Sequence, residues 1–260
     1  MEEFLEINRK AWAHQVETGN RWTRPVDSGE TERARRGDWR ILLTPERPVP
    51  RTWFPESLVG VDILCLASGG GQQGPILAAA GGNVTVFDYS PEQLEADRMV
   101  AERDGLEIAT IRGDMRDLSA FEDGRFHLIV HPASNGFIDD VNPVWREAFR
   151  VLRPGGSLLS GFANPLVYIF DLRALERGEL VVRHRIPYSD LDDLPEEELR
   201  ELVLDRGDPV CFGHTLEDQV GGQLRAGFLL AGFYEDVGEE VVDDYIKSFI
   251  ATRAVKPGCR

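Results

Sequence analysis

Five short runs rich in aliphatic residues recur through the middle of the chain, and segments with helix signals separate them. The runs cover residues 61–66, 83–88, 106–111, 126–130 and 157–161. Apolar runs of this length are typical of strands that are buried on both faces, as in a parallel sheet. The helix signals include Ser90 before Pro91, an N-cap followed by proline in the first turn. This alternation predicts a parallel sheet with right-handed crossovers and helices on both faces.

The alternation stops after the fifth run. Residues 163–210 are acidic and punctuated by proline, and they are too long for a plain connection, so we expect a lid-like insert. Thr215, followed by Glu217 and Asp218, predicts a capped helix that runs to about Ala231. Two closing strands are predicted after it, at 233–237 and 248–253.

The first 55 residues contain Trp12, Trp22 and Trp39, and Leu5 shares a helical face with Trp12. We expect this region to be a helical cap. The chain is long enough for one large core, so we predict a single domain. Its parts are the cap (1–55), the core (56–162), the insert (163–210) and a C-terminal helix with two strands (211–260).

The first apolar run leads into three consecutive glycines, residues 69–71, and a helix start follows at 75–80. A strand, a glycine turn and a helix N-terminus together present backbone N–H groups to a nucleotide-like ligand. The spacing Gly69-x-Gly71-x-x-Gly74 matches the dinucleotide fingerprint. Asp88, at the end of the second run, offers a carboxylate that can accept both hydroxyls of a ribose.

Charge and cysteine content narrow the class of partner. The formal net charge is −16 over 260 residues, which works against nucleic-acid backbones and anionic membranes because both require a positive surface. No apolar run approaches the roughly 20 residues that cross a bilayer, and the chain starts with acidic residues where a signal peptide would be basic. Cys65, Cys211 and Cys259 are scattered and form neither a disulfide framework nor a zinc-ligand pattern. We expect a reduced, cytoplasmic protein without a metal site.

Taken together, these motifs resemble those of the class I S-adenosylmethionine-dependent methyltransferases. The matching pieces, in order, are residues 67–71, Asp88, residues 113–115 and residues 152–156, with a terminal helix and two strands after them. The resemblance implies a Rossmann-like α/β fold, with a mostly parallel seven-stranded sheet and an antiparallel last strand. It also implies S-adenosylmethionine as cofactor and S-adenosylhomocysteine as product. The cap and the glutamine pair after the glycines look like one uncharacterised bacterial branch that methylates small molecules.

The resemblance also implies roles for single residues, which would line the cofactor from its methionine part to its adenine. Ala67, Ser68, Gly69 and Gly71 would lie along the methionine part, Gln72 and Gln73 near its carboxylate, Asp88 at the ribose, Asp114 and the Met115 backbone at the adenine, and His131 near the transferring methyl. Two positions depart from the family pattern. Cys65 stands where an acidic residue is common, and Ala67 replaces the usual first glycine.

Methyl transfer requires a general base only when the acceptor atom must lose a proton. Histidine is the natural base near neutral pH, and we take His131, His214 and His14 as the candidates. Two alternatives of other classes stay open, an NAD(P)-dependent oxidoreductase and a non-catalytic S-adenosylmethionine-binding protein. We expect a small-molecule acceptor, no nucleic-acid or membrane partner, and a monomer or homodimer. The sequence does not identify the acceptor or its methylated atom.

Overall fold

The computed structural model describes residues 3–258, so Cys259 and the first two residues of the acidic start lie outside it. Nine strands form a seven-stranded sheet and a two-stranded sheet. The strands are β1 (Asp62–Leu66), β2 (Asn83–Asp88), β3 (Ile108–Arg112), β4 (Phe126–His131), β5 (Leu152–Ala163), β6 (Tyr188–Ser189), β7 (Phe212–Gly213), β8 (Leu229–Asp236) and β9 (Phe249–Val255).

The large sheet has the strand order β3-β2-β1-β4-β5-β9-β8. Strands β1 to β5 pair in parallel, whereas β9 runs antiparallel to both β5 and β8. The predicted fold class, including the antiparallel last strand, is therefore confirmed. β5 is longer than predicted: it begins at Leu152, directly after a helix, and its first residue pairs with Phe126.

Helices cover both faces of the sheet, as predicted. They are α1 (Glu3–Thr18), α2 (Ser28–Arg35), α3 (Gln73–Ala79), α4 (Pro91–Asp104), α5 (Asn142–Val151), α6 (Leu172–Glu176), α7 (Asp190–Asp193), α8 (Glu196–Leu202) and α9 (Gly222–Ala226). Alternate residues of each strand point to opposite faces. Leu64 and Leu66 belong to one hydrophobic core, together with Trp145 of α5, and Ile63 and Cys65 belong to the other, together with Leu77 of α3.

The cap is helical only in part. Helices α1 and α2 are followed by an irregular segment, residues 36–61, which holds one short 3₁₀ turn. Phe4 of α1 packs edge to face against Phe212 of β7, with ring centroids 5.1 Å apart. Thr31 of α2 donates a hydrogen bond to Asp104 at the end of α4, over 2.8 Å. The cap therefore contacts the C-terminal part of the chain on one side and the core on the other.

The C-terminal helix is shorter than predicted. It consists of a π-helical turn, Glu217–Gly221, and α9, and it ends at Ala226 instead of Ala231. Gly227 follows with φ +109°, a left-handed conformation that ends the helix. β8 therefore starts at Leu229, four residues earlier than predicted. Among residues 3–258, we find no helix with the length and apolar character of a membrane span.

Candidate functional site

A cavity of about 350 Å³ lies at the carboxyl edge of the parallel strands, where open α/β sheets bind their ligands. The segments after β1 to β4 form one part of its wall. The cap contributes residues from α1, Trp22 and residues 42–45, and the insert contributes Tyr168. Residues that are distant in sequence therefore cover the strand ends.

The glycine loop after β1 supplies the centre of this wall. Ala67 takes a left-handed conformation, with φ +46°, and its N–H donates to the Phe87 carbonyl of β2 over 2.8 Å. Ala67, Ser68 and Gly69 all line the cavity. At Gly69 a Cβ would come within 2.7 Å of Gln93 Cβ, so glycine is required for the loop to approach α4. Gly71 lies away from the cavity wall, packed against Ala96.

Asp88 ends β2 and lies on the cavity wall. Its Oδ2 accepts a hydrogen bond from the Gly69 N–H, and its Oδ1 accepts one from the Ser90 N–H, both over 2.9 Å. A carboxylate has about four lone-pair sites, so these contacts leave capacity for ligand hydroxyls. Burial raises the pKa of the Asp88 carboxyl, and the backbone donors oppose that rise.

A second carboxylate, which the sequence analysis missed, holds the glycine loop from behind. Asp97 of α4 is fully buried, and its Oδ2 accepts a hydrogen bond from the Gly70 N–H over 3.0 Å. Burial, and then the nearby Asp88 charge, raise the pKa of Asp97 to about 7. One feature of the sequence indicates this burial. Asp97 lies on the same helical face as Leu94 and Val100, which are buried.

The glutamine pair contacts the cap, although both residues also line the cavity. Gln72 Nε2 donates to the carbonyls of Arg21 and Arg24, over 2.9 and 3.0 Å. Gln73 Nε2 donates to the Leu42 carbonyl over 3.2 Å. The two amides therefore attach two cap segments to the glycine loop, a role that the resemblance did not imply.

Asp114 and Met115, which the resemblance assigned to the adenine, follow β3 and line the cavity. The Asp114 carboxylate is already held by Arg116, whose Nη2 lies 2.7 Å from Oδ2. Arg116 in turn stacks on the Phe4 ring of α1, at 5.3 Å from its centroid. At Gly113 a Cβ would overlap the Phe87 ring, so only glycine allows this turn beside β2.

The three candidate histidines lie away from the cavity, and no described residue of its lining is a histidine. His131 is fully buried between the Leu66 carbonyl, 2.9 Å from Nδ1, and the Asn135 side chain, 2.6 Å from Nε2. His214 Nε2 lies 2.9 Å from the Asn135 carbonyl. His14 is exposed and packs against Gly207 of the insert. Two of the histidines thus hold Asn135, which does line the cavity.

Burial lowers the pKa of His131, so its ring is neutral near pH 7. A neutral ring that donates from Nδ1 to the Leu66 carbonyl must accept at Nε2. The Asn135 amide then has to present its NH₂ group to Nε2 and its oxygen to Gln219, whose side-chain amide must turn with it because the two amides lie 2.9 Å apart. In this arrangement His131 fixes Asn135 and has no free lone pair to act as a base.

The end of the cavity that lies after β1, β2 and β3, here called the cofactor end, fits a nucleoside with a polar tail. Ala67 is a small residue on the wall, and Asp88 retains acceptor capacity beside it. Gln93 also lines the cavity, and its buried Oε1 has no hydrogen-bond partner within the described chain. A buried acceptor of this kind indicates a donor on a ligand.

Several known proteins with similar sequences or folds are methyltransferases. The family described as "Methyltransferase domain" matches residues 64–160. The chain is 52% identical over 256 residues to the uncharacterized methyltransferase YbaJ of Bacillus subtilis (strain 168), a match that covers 98% of this chain and 100% of that protein. That match therefore includes the cap and the insert.

Solved structures with a similar fold include two S-adenosylmethionine-dependent methyltransferases. An S-adenosylmethionine-dependent methyltransferase from Mesorhizobium loti is 17% identical, with a TM-score of 0.60 over 79% of this chain and 94% of the other. One from Methanosarcina mazei is 20% identical, with a TM-score of 0.56 over 83% of this chain and all of the other.

Proposed function

We propose that the chain transfers a methyl group from S-adenosylmethionine to a small-molecule acceptor. The premise is that the chain belongs to the class I S-adenosylmethionine-dependent methyltransferases. The family uses S-adenosylmethionine and forms S-adenosylhomocysteine, so the oxidoreductase alternative is not retained. The observation that carries the acceptor proposal is the cover over the strand ends, built by α1, residues 42–45 and the insert.

The cofactor would occupy the part of the cavity after β1, β2 and β3. We assign its ribose to Asp88, its methionine part to Ala67, Ser68 and Gly69, and its adenine to the wall at Asp114 and Met115. Gln93, with its unpartnered buried oxygen, is a further candidate beside Asp88. Gln72 and Gln73 would act indirectly, by holding the cap against the loop.

The covered cavity suits a compact acceptor better than a polymer. The cofactor and the acceptor would share a cavity of about 350 Å³ in all, which lies at the lower end of the usual range for small-molecule sites. The net charge of −16 also opposes a polyanionic acceptor. We propose that the active form is a monomer or a homodimer. Free, buried Cys65 and the free thiol of Cys211 are consistent with a cytoplasmic location.

In this mechanism the chain aligns two ligands and excludes water. When bound, S-adenosylmethionine supplies a methyl carbon on a positively charged sulfur, and the electron pair of the broken carbon–sulfur bond stays on sulfur. The carboxylates of the described lining, Asp88 and Asp114, lie after β2 and β3, at the cofactor end. We therefore propose that the acceptor atom attacks with a lone pair that it already carries, and that any proton leaves to water afterwards.

The test is methyl incorporation from labelled S-adenosylmethionine into fractionated extract of the cells that produce this chain. We expect label in the low-molecular-weight fraction, and we expect the Asp88→Ala variant to lose it. Label in RNA or protein, with the low-molecular-weight fraction unlabelled, would contradict a small-molecule acceptor.

A further inference from the structure

We infer, on the basis of the proposed function, that the acceptor is a neutral aromatic molecule and that the Tyr168 hydroxyl donates a hydrogen bond to one of its heteroatoms. Tyr168 follows β5 and lines the cavity. In the sheet order, β4 and β5 lie on the opposite side of β1 from β2 and β3. Tyr168 therefore marks the end of the cavity away from Asp88 and Asp114.

Aromatic rings dominate the wall at this acceptor end. Trp12 of the cap packs edge to face on Phe137, with centroids 5.1 Å apart, and both line the cavity. Tyr168 and Phe249 add two more rings at this end, whereas Trp22, Phe87 and Tyr89 line the cavity nearer the glycine loop and β2. Aromatic walls favour an aromatic ligand because offset and edge-to-face contacts stabilise ring pairs beyond the area that they bury.

The other polar side chains at this end have partners within the protein. Asn8 Nδ2 donates to the carbonyls of Phe137 and Val210, over 3.0 and 3.1 Å, and Asn8 Oδ1 accepts from the Val210 N–H over 2.8 Å. Thr44 donates to Asp236 over 2.8 Å. Arg9 is paired with Glu6 at 2.8 Å. Charge at this end is therefore compensated, which favours an uncharged ligand.

The Tyr168 hydroxyl differs, because residues 3–258 provide it with no hydrogen-bond partner. Burial raises the pKa of Tyr168 well above its usual value, so the group stays protonated and can donate. A ligand with an accepting oxygen or nitrogen would satisfy this donor.

The ring of Tyr168 is held in place from three sides. A Cβ on Gly136 would lie 2.6 Å from its hydroxyl oxygen, and one on Gly213 would lie 2.8 Å from its ring. Tyr188 stacks on it, with centroids 5.9 Å apart, and is itself anchored by a 2.7 Å hydrogen bond to Asp190. The donor is therefore fixed before a ligand arrives, as a specificity-determining group should be.

The experiment compares two isosteric probes, naphthalene and quinoline, which differ in one ring nitrogen that can accept a hydrogen bond. Both are uncharged at neutral pH, and 2-naphthoate serves as the charged counterpart. Binding to the full chain saturated with S-adenosylhomocysteine is measured by calorimetry. The variant is Tyr168→Phe, and the matched control is Tyr245→Phe, which removes the hydroxyl of an exposed tyrosine outside the cavity lining.

We expect both neutral probes to bind more tightly than 2-naphthoate. Tyr168→Phe should weaken quinoline about three- to tenfold, the range of one hydrogen bond, and leave naphthalene unchanged. Tyr245→Phe should leave the quinoline-to-naphthalene ratio unchanged. Equal quinoline binding by Tyr168→Phe and the parent, or tighter binding of 2-naphthoate, would overturn the inference.

S-adenosylhomocysteine affinity is measured first in each protein, and it shows that the variants are folded. A parent chain that does not bind S-adenosylhomocysteine would contradict the proposed function. A parent that binds it but neither neutral probe would contradict the aromatic acceptor alone.

Discussion

At its cofactor end the cavity is bounded by one continuous stretch of chain, residues 67–115, whereas at its acceptor end it is bounded by segments from the whole chain. The cofactor end uses backbone amides and two carboxylates, half-buried Asp88 and fully buried Asp97. The acceptor end uses aromatic rings, and its polar side chains are mostly paired within the protein.

This difference separates two tasks. A cofactor is constant across a family, so a local turn with fixed hydrogen bonds suffices to bind it. An acceptor differs between enzymes, and changing surface segments can alter its wall without disturbing the sheet. We therefore expect ligand affinity to depend mainly on charged groups at the cofactor end and on ring packing at the acceptor end.

The largest effect should be the pH-dependent contribution of Asp97 to the free energy of unfolding. Its pKa in the folded chain, about 7, lies above the ordinary value of 3.8. Protonation of Asp97 therefore stabilises the folded chain. This stabilisation is fully present below the pKa of Asp97 in the unfolded chain and is lost as the pH rises through about 7. Relative to Asp97→Asn, the parent should lose about 2–3 kcal/mol of unfolding free energy between pH 5 and pH 8.

Urea unfolding of the parent and of Asp97→Asn at both pH values measures this difference directly. All other titrating groups are shared by the two proteins, so they cancel. A constant difference between the two unfolding free energies would show that Asp97 does not titrate in this window.

Asp88→Ala should affect the cofactor end alone. Loss of hydrogen bonds to a charged carboxylate should weaken S-adenosylhomocysteine binding by about 2 kcal/mol, or roughly thirtyfold. Calorimetry measures this change, and Asp123→Ala, a substitution of an exposed aspartate outside the cavity, is the control. Unchanged affinity in a folded Asp88→Ala variant would remove Asp88 from the site.

Gln72→Leu should weaken the attachment of the cap to the glycine loop. The change removes two hydrogen bonds to cap carbonyls, so we expect residues 20–26 to lose about 1 kcal/mol of protection. Hydrogen exchange with bound S-adenosylhomocysteine reports this loss, and β3 serves as an internal reference. Equal protection of residues 20–26 in variant and parent would show that Gln72 does not hold the cap.

Arg9→Met should have the smallest effect, although Arg9 lines the cavity. Its charge is already paired with Glu6 and Glu92 at 2.8 and 3.3 Å, and partly exposed pairs contribute little. We expect quinoline and S-adenosylhomocysteine affinities to change by less than about twofold. A larger loss for 2-naphthoate or quinoline would mean that the acceptor end does use charge.

Much of the cofactor end could be predicted because its contacts are local. The apolar runs and the glycine turn predicted β1, β2 and the loop that approaches Asp88, and the 2.9 Å contact from Gly69 fits that prediction. Asp97 was missed because an acidic residue in a charged helix is usually solvated, and only packing shows that it is buried. The C-terminal helix was overestimated because Gly227 was not recognised as its end.

By itself, the sequence determined the order of strands and helices, the glycine turn and the family, because apolar periodicity and turn chemistry are written in neighbouring residues. Tertiary structure decided the rest of the cavity wall. It turned Gln72 and Gln73 toward the cap, enclosed His131 beside Leu66, and placed Tyr168 between Gly136 and Gly213. These outcomes depend on contacts between segments far apart in the chain, which no local pattern encodes.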